Sequence, residues 1–309
     1  VRSLLRSDLR QATIMRIINI IPSRPLAVFL TLVPFVLVFL AYAIGSDIRL
    51  TANPQDKLLP APSKVWDTAM RLISEGDKRT GRILFWHDTW ASLQRLAIGI
   101  SISAFFSLLF GLLIGLLPMV RRLLAQFVAV LSMIPPLALL PILFIVFGLG
   151  ELSKVVLIVI GTLPFLIRDL SQRVLEVPEE LLVKAQTLGA SSWVIAIRVA
   201  LPQVMPRLIQ SVRLSIGPAW LFLIAAEAIA SDLGLGYRIF LVRRYLAMDV
   251  ILTYVIWITI LAFLIDWALR WVSRRFFPWA EEGLRALSAS KTCFRITERV
   301  RSLSGLTCP

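Results

Sequence analysis

An all-α, polytopic membrane bundle is the fold class this sequence predicts, and three observations predict it. Hydrophobic residues make up 58% of the 309 and charged residues only 17%, with a mean hydropathy of +0.81; soluble chains run nearer half apolar and a quarter charged. The apolar residues gather into runs of about 20, the length that a hydrocarbon core roughly 30 Å thick demands of a helix. The charges lie mostly between those runs, so the net +14 belongs to connecting segments and not to a nucleic-acid-binding face. Disorder is excluded by the same hydrophobicity. A single His and two Cys, Cys293 and Cys308, both near the C-terminal end, provide neither a metal set nor a disulfide framework. No catalytic constellation is expected.

Six spans follow in order: Leu26 to Ile44, Ser92 to Leu117, Leu123 to Phe147, Leu152 to Ile167, Leu208 to Ala230 and Val250 to Val272. The first reads as a span and not a cleaved leader, because its apolar stretch is long and no Ala-x-Ala follows. The chain divides into an N-terminal segment 1–25, a six-span domain 26–272 and a basic tail 273–309. With the N-terminus in the cytoplasm, inside segments hold twenty Lys and Arg against eleven outside; without the long 45–91 segment the outside count falls to four. That asymmetry places both termini in the cytoplasm. The tail after Glu282 has no sustained periodicity and reads as flexible.

Between the first two spans, Pro62-Ser63 followed by Trp66, Ala69, Met70 and Ile73 predicts a short amphipathic helix, either lying at the outer membrane surface or packed on the bundle. Gly111-x-x-x-Gly115 permits close helix contact in the second span. Pro135, Pro136 and Pro141 interrupt the third, Pro164 the fourth and Gly217-Pro218 the fifth. Each proline removes a backbone donor and kinks its helix, a pattern suited to a bundle around a cavity or to packing kinks. No period of 20–50 residues appears, which counts against a single-chain carrier built from internal repeats.

Apart from Lys154 and Arg270 at the span borders, four ionisable residues fall inside the spans: Arg95, Arg213, Glu227 and Asp266. Intramembrane charge costs at least ~2.5–3.5 kcal/mol on insertion scales, so each needs a partner or water. Depth pairs Arg213 with Asp266 and Arg95 with Glu227. The other reading pairs Asp266 locally with Arg270 and lets Arg95 and Glu227 snorkel to interfacial water. Arg213, Gly217, Trp220 and Glu227 share one face of the fifth span, which could line a pathway.

The cytoplasmic loop 173–207 is the most informative segment. Pro178 with Glu179 and Glu180 marks a helix start. Leu181, Leu182, Ala185 and Leu188 form an apolar stripe that Gly189 ends, and a second short helix, Ser192 to Ala200, stops at Leu201-Pro202. Two short helices joined at a glycine and held between spans make a docking knob. Gly189, nine residues and Val199-Ala200-Leu201-Pro202 match the spacing of the coupling loop of ATP-binding-cassette importer permeases: EAA, three residues, G, nine residues, I-x-L-P. Val183-Lys184-Ala185 stands at the EAA triplet, keeping only its last alanine. With Ser92-Leu93-x-Arg95, Ile134-Pro135-Pro136, Leu140-Pro141 and Leu233-Gly234-Leu235-Gly236-Tyr237 after Glu227, the chain resembles the nitrate/sulfonate/taurine/bicarbonate class. Its six spans are one more than that family's five-helix core.

The resemblance implies a permease paired with a second copy, likewise a cytoplasmic P-loop ATPase dimer that uses ATP and Mg, and an extracytoplasmic solute-binding protein. It also implies that Glu179, Glu180, Leu181, Ala185, Leu188, Gly189, Ala190 and Pro202 face the ATPase. The substrate class is a small nitrate-, sulfonate-, taurine- or bicarbonate-like solute or a small nitrogenous compound. The chain has no G-x-x-x-x-G-K-[ST], so ATP hydrolysis is expected in the partner and no cofactor in this chain. An ion-coupled secondary transporter or channel is the alternative; it would explain the membrane charges but leave the knob without a purpose.

Overall fold

The computed structural model describes residues 23–53, 56–76 and 81–279. Segment 1–22, residues 280–309 of the basic tail and both cysteines lie outside the described residues. The structure is helical, with no strand among the described residues, and it divides after Lys64 into two compact units.

The first unit is built on α1 (Arg24–Ala52), a helix of 29 residues with Pro34 inside it. None of its most apolar 18-residue window is buried, as suits a helix whose solvent is lipid. The segment after it folds back along its end: the Tyr42 hydroxyl donates to the Pro60 carbonyl at 2.6 Å and the Ser46 hydroxyl to that of Leu59 at 3.0 Å.

The rest of the chain contains α2 (Pro62–Ser74, from Val65 onward), α3 (Leu84–Leu116), α4 (Pro118–Leu131), a 3-10 turn (Pro136–Leu139), α5 (Leu140–Phe147) and α6 (Glu151–Leu175). Then come α7 (Glu179–Thr187), α8 (Ser192–Val194), a wide-turned segment (Ile195–Ala200), α9 (Leu201–Ala230), α10 (Leu235–Arg243) and α11 (Met248–Phe276). Five helical stretches are long and apolar enough to cross a membrane, and the bent pair 118–131 and 136–147 makes a sixth.

That bent pair corrects the third expected span. Leu123 to Phe147 is not one helix: it bends by 79° between α4 and α5. Pro135 and Pro136 have no N–H to continue the ladder, and their rings clash with the preceding turn. A second correction concerns the helix expected to stop at Leu201-Pro202. The chain runs on from Ser192 to Ala230 as one crossing of 39 residues. Pro202 stands at the start of α9, where a proline needs no donor, and the wider turns of Ile195–Ala200 absorb the irregularity before it.

The packing of α3 on α6 organises the bundle. Gly99, Ser103, Ser107, Gly111 and Gly115 recur every four residues and are all buried, a small-residue stripe that lets two helix axes approach closely. A Cβ on Gly99 would lie 2.7 Å from the Ile158 side chain, and one on Gly111 3.0 Å from Leu170. Thr162 donates to the Ser103 hydroxyl at 2.8 Å in this dry seam. Leu166, Leu170 and Val174 of α6 then pack against Val204, Leu208 and Val212 of α9. The largest apolar cluster joins Phe85, Leu96, Ile158, Trp220, Leu223, Leu235 and Tyr254.

Beyond Lys64, α2 packs on the bundle. Thr68 donates to Asp249 at 3.0 Å, and Leu72 and Ile73 join the largest cluster, while Trp66 and Met70 stay exposed. The helix thus uses both faces.

Adding a methyl in the α3–α6 seam tests the packing. Gly99→Ala is expected to cost about 1–3 kcal/mol and to lower the melting temperature of the solubilised chain. Gly45→Ala, with nothing within 4 Å of its added carbon, should leave it unchanged.

Candidate functional site: a buried charge network and an exposed knob

At the ends of α6 and α9 away from loop 173–207, polar side chains converge from four helices. Asp88, Ser92 and Arg95 sit at i, i+4 and i+7 on one face of α3, a spacing that aligns them along the helix; Asp88 and Ser92 are fully buried and Arg95 nearly so. Glu227, near the end of α9, has no exposed surface. Arg95 NH1 donates to Glu227 Oε1 at 2.7 Å and to the Leu233 carbonyl at 2.9 Å. Ser92 Oγ donates to Glu227 Oε1 at 2.7 Å. A buried charge is tolerable only when paired and hydrogen-bonded, and Glu227 meets both conditions.

The segment after α9 is pinned by its own backbone. Three successive amides are captured: Gly234 N–H by Asp88 at 2.9 Å, Leu235 N–H by Ser92 at 2.9 Å, and Gly236 N–H by Glu227 at 2.9 Å. Both glycines are required. Gly234 has φ of +129°, and a Cβ there would lie 2.5 Å from the Glu227 carboxyl carbon; on Gly236 it would lie 2.7 Å from the Ile224 carbonyl oxygen. Arg238 Nε closes this side by donating to Asp88 at 2.6 Å.

The remaining members come from the first turn of α6. Glu151 receives both Arg95 Nε and Arg95 NH2, the latter at 2.7 Å. Lys154, 2% exposed, donates to Glu151 Oε1 at 2.9 Å and to Ser231 Oγ at 3.1 Å. Three carboxylates therefore face three cations. Glu151 alone opens to solvent, with 65% of its side chain exposed.

The structure thus brings Arg95 and Glu227 together in the interior, not snorkelling to an interface. It also brings Arg213 to Asp266, Nε to Oδ1 at 2.6 Å, while Arg270 Nε holds the other oxygen at 2.9 Å; Asp266 makes both the cross-helix and the local pair. Trp220 is core, packed in the largest apolar cluster, while Gly217 on the same face is exposed, so that face is packed toward Glu227 and open at Gly217. Asp88, Glu151, Lys154, Ser231 and Arg238 escaped the sequence reading. The i, i+4, i+7 spacing of Asp88, Ser92 and Arg95 was the available signal. His87 is exposed on α3, and no cluster able to hold a metal occurs among the described residues.

The knob lies at the other ends of α6 and α9. Glu179 and Glu180 open α7 and are exposed. The helix closes by a paired turn: Gly189 N–H reaches the Gln186 carbonyl at 2.9 Å and Ala190 N–H that of Ala185 at 3.0 Å, with Gly189 at φ of +81°. This is the left-handed closure that glycine makes without strain. The expected stripe splits. Leu182 turns inward, to a cavity of about 330 Å³ against Leu112 and Leu116 of α3. Leu181 and Leu188 face out, joined by Val183 and Trp193; Leu188 is 87% and Trp193 73% exposed. Ala185, Ala190 and Pro202 are half-buried.

Removing the buried acid should cost far more than removing the partly exposed one. Glu227→Ala leaves the Arg95, Ser92 and Gly236 donors unmet in the interior and is expected to destabilise the solubilised chain by about 3–5 kcal/mol. Asp266→Ala should cost about 1 kcal/mol or less. Thermal unfolding of the two variants side by side measures the contrast.

Residues 107–278 match the family described as binding-protein-dependent transport system inner membrane component. The chain is 33% identical over 224 residues to the taurine transport system permease protein of Escherichia coli (strain K12), covering 72% of this chain and 81% of that one. It is 31% identical over 197 residues to the bicarbonate transport system permease protein of Synechococcus elongatus, covering 62% and 70%. Among solved structures, the methionine ABC transporter MetNI in inward-facing conformations superposes with a TM-score of 0.53 at 23% identity, over 62% of this chain and 96% of that one; the likeness is one of fold. On these grounds the chain belongs to the binding-protein-dependent transport system inner membrane components, the permease subunits of ATP-binding-cassette importers.

Proposed function

We propose that this permease works as one of two copies above a cytoplasmic P-loop ATPase dimer, which uses ATP and Mg, and accepts a small anion from an extracytoplasmic binding protein. The observation that carries the coupling half is the exposed apolar knob. Leu188 and Trp193 leave large side chains in solvent on a segment whose connecting turn at Gly189 is closed by its own backbone hydrogen bonds. Apolar surface presented on a rigid turn fits the groove of a partner. Glu179 and Glu180, in the first turn of α7, add charge at its rim.

The route from knob to charge network is a stiff one. The crossing Ser192–Ala230 begins beside the knob and carries Glu227 near its far end. At 1.5 Å per residue the helical path between Trp193 and Glu227 is about 50 Å. Its packing on α6 is continuous through two apolar clusters, and packed cores shift as units. A partner that clasps the knob differently in its two nucleotide states would bias two positions of this lever. The clamp on 231–236 is the part that such a tilt would release.

Orientation follows the excess of Lys and Arg, which puts the knob and both termini in the cytoplasm and the charge network on the outer side. The substrate class rests on the relatives. Taurine carries a sulfonate and bicarbonate is itself an anion, and the named relatives carry those two solutes. A small sulfonate- or bicarbonate-like anion is therefore proposed for this chain. Family membership favours this reading over an ion-coupled carrier, and the knob gives it a mechanical purpose.

Co-purification with a P-loop ATPase from the native host tests the docking surface. Leu188→Asp and Trp193→Ala alter exposed side chains only, so the melting temperature should hold while ATPase recovery falls at least about tenfold, the equivalent of ~1.4 kcal/mol. Undiminished recovery in both variants would remove the knob from the interface.

A further inference from the structure

We propose that Arg95 and Lys154 form an anion-binding site which Glu151 occupies in the resting permease, and which the incoming substrate anion takes over. The inference rests on the small-anion reading above and assigns that reading a place in the chain.

The two cations are buried, at 6% and 2% exposure, yet both direct donors to one carboxylate that is open to solvent. Arg95 offers its Nε and NH2 as a fork, and Lys154 Nζ reaches Glu151 Oε1 at 2.9 Å. A planar fork with a point charge beside it is the arrangement that recognises carboxylates and other oxyanions. Arg95 does not depend on Glu151 for its place: NH1 is held by Glu227 and the Leu233 carbonyl. Lys154 likewise keeps Ser231 Oγ at 3.1 Å. The cationic half of the site is thus pre-formed by other contacts, and Glu151 is its replaceable member.

Charge arithmetic makes replacement obligatory. Asp88, Glu151 and Glu227 balance Arg95, Lys154 and Arg238. If the Glu151 carboxylate swings out to solvent, the buried remainder carries one uncompensated positive charge, a costly state. An anion of unit charge entering as the carboxylate leaves restores neutrality. A sulfonate or bicarbonate supplies both the charge and the oxygens to meet the fork. A solute with no anionic group supplies neither, whereas a zwitterion such as taurine brings its sulfonate to the fork and leaves its ammonium toward solvent; the site thus selects for an oxyanion group at the outer mouth.

The exchange also has a mechanical consequence. Glu151 is the first residue of α6 and its carboxylate ties that helix to Arg95 of α3. Once the carboxylate is displaced, the start of α6 loses this tie, while the Arg95–Glu227 pair survives. Substrate arrival thereby loosens α6 at the mouth without breaking the buried core of the network.

The test uses the permease–ATPase complex in lipid nanodiscs, with methanesulfonate as the probe and methylammonium as the cationic control, measured by isothermal titration calorimetry. Glu151→Gln removes the internal competitor and should bind methanesulfonate about tenfold tighter than wild type or better, with no gain for methylammonium. Adding Lys154→Gln should abolish that gain, and Lys154→Arg should retain it. Glu151→Asp, a charged but shorter competitor, should fall between wild type and Glu151→Gln, which keeps the test decisive if one variant misfolds. Equal affinity in wild type and Glu151→Gln, or a gain that persists with Lys154→Gln, overturns the site. ATP-driven uptake of taurine or bicarbonate by the wild-type complex with its binding protein separates the two levels. Uptake without the affinity gain sinks the site alone; the gain without uptake of either sinks the proposed substrates.

Discussion

A carboxylate with no exposed surface, Glu227, is the constraint around which the end of the bundle away from loop 173–207 is built. Carrying it into the interior costs several kcal/mol unless its charge and lone pairs are met. Meeting them draws in Arg95 and Ser92 from α3 and the Gly236 amide from the segment beyond α9. Arg95, once committed, has donors left over, and these recruit Glu151 and the Leu233 carbonyl. Neutrality then requires Lys154. The glycines at 234 and 236 follow from the same demand, because a side chain at either position would collide with Glu227 or with the backbone it leans on.

The rest of the fold holds this constellation in place and connects it to the other end of the bundle. Small residues on α3 bring its axis close to α6, so Arg95 and Glu151 meet without long side-chain excursions. Apolar clusters weld α6 to α9. The proline-broken crossing of α4 and α5 packs Leu140 and Leu143 against the same pair of helices. Loop 173–207 then joins the far ends of α6 and α9, so the two helices that bear Glu151 and Glu227 also carry the exposed knob. The stretch Ser192–Ala230 runs from beside the knob to Glu227, so one continuous element links the two.

Much of this was legible from residue order, and the exceptions have physical causes. Hydropathy located the crossings, and depth offered the pairs Arg95–Glu227 and Arg213–Asp266 beside a reading of snorkelling and local pairing that it left open. Asp88 was read as loop because His87 and Asp88 depress the local hydropathy, although α3 begins at Leu84. Glu151 and Lys154 stood in a short polar connection, where a charge ordinarily meets water; the fold instead turns Lys154 inward. Leu201-Pro202 read as a helix end, yet a proline at the start of a helical segment after a wide turn leaves the axis continuous. The prolines of the third span marked a break, but its 79° bend depends on packing no single segment encodes. In the knob, the apolar stripe gave the helix but not which of its leucines would face a partner.

Hydrogen–deuterium exchange at Gly234, Leu235 and Gly236 in the permease–ATPase complex tests the central claim most directly. In the nucleotide-free complex those three amides should be strongly protected by Asp88, Ser92 and Glu227. Trapping the ATPase in its ATP-bound state should speed their exchange by at least about tenfold, while amides of the α3–α6 seam near Ser103 and Thr162 stay protected. Unchanged protection at 234–236 across the nucleotide states would contradict the account, because the charge network would then be a fixed staple and not the gate that the knob controls.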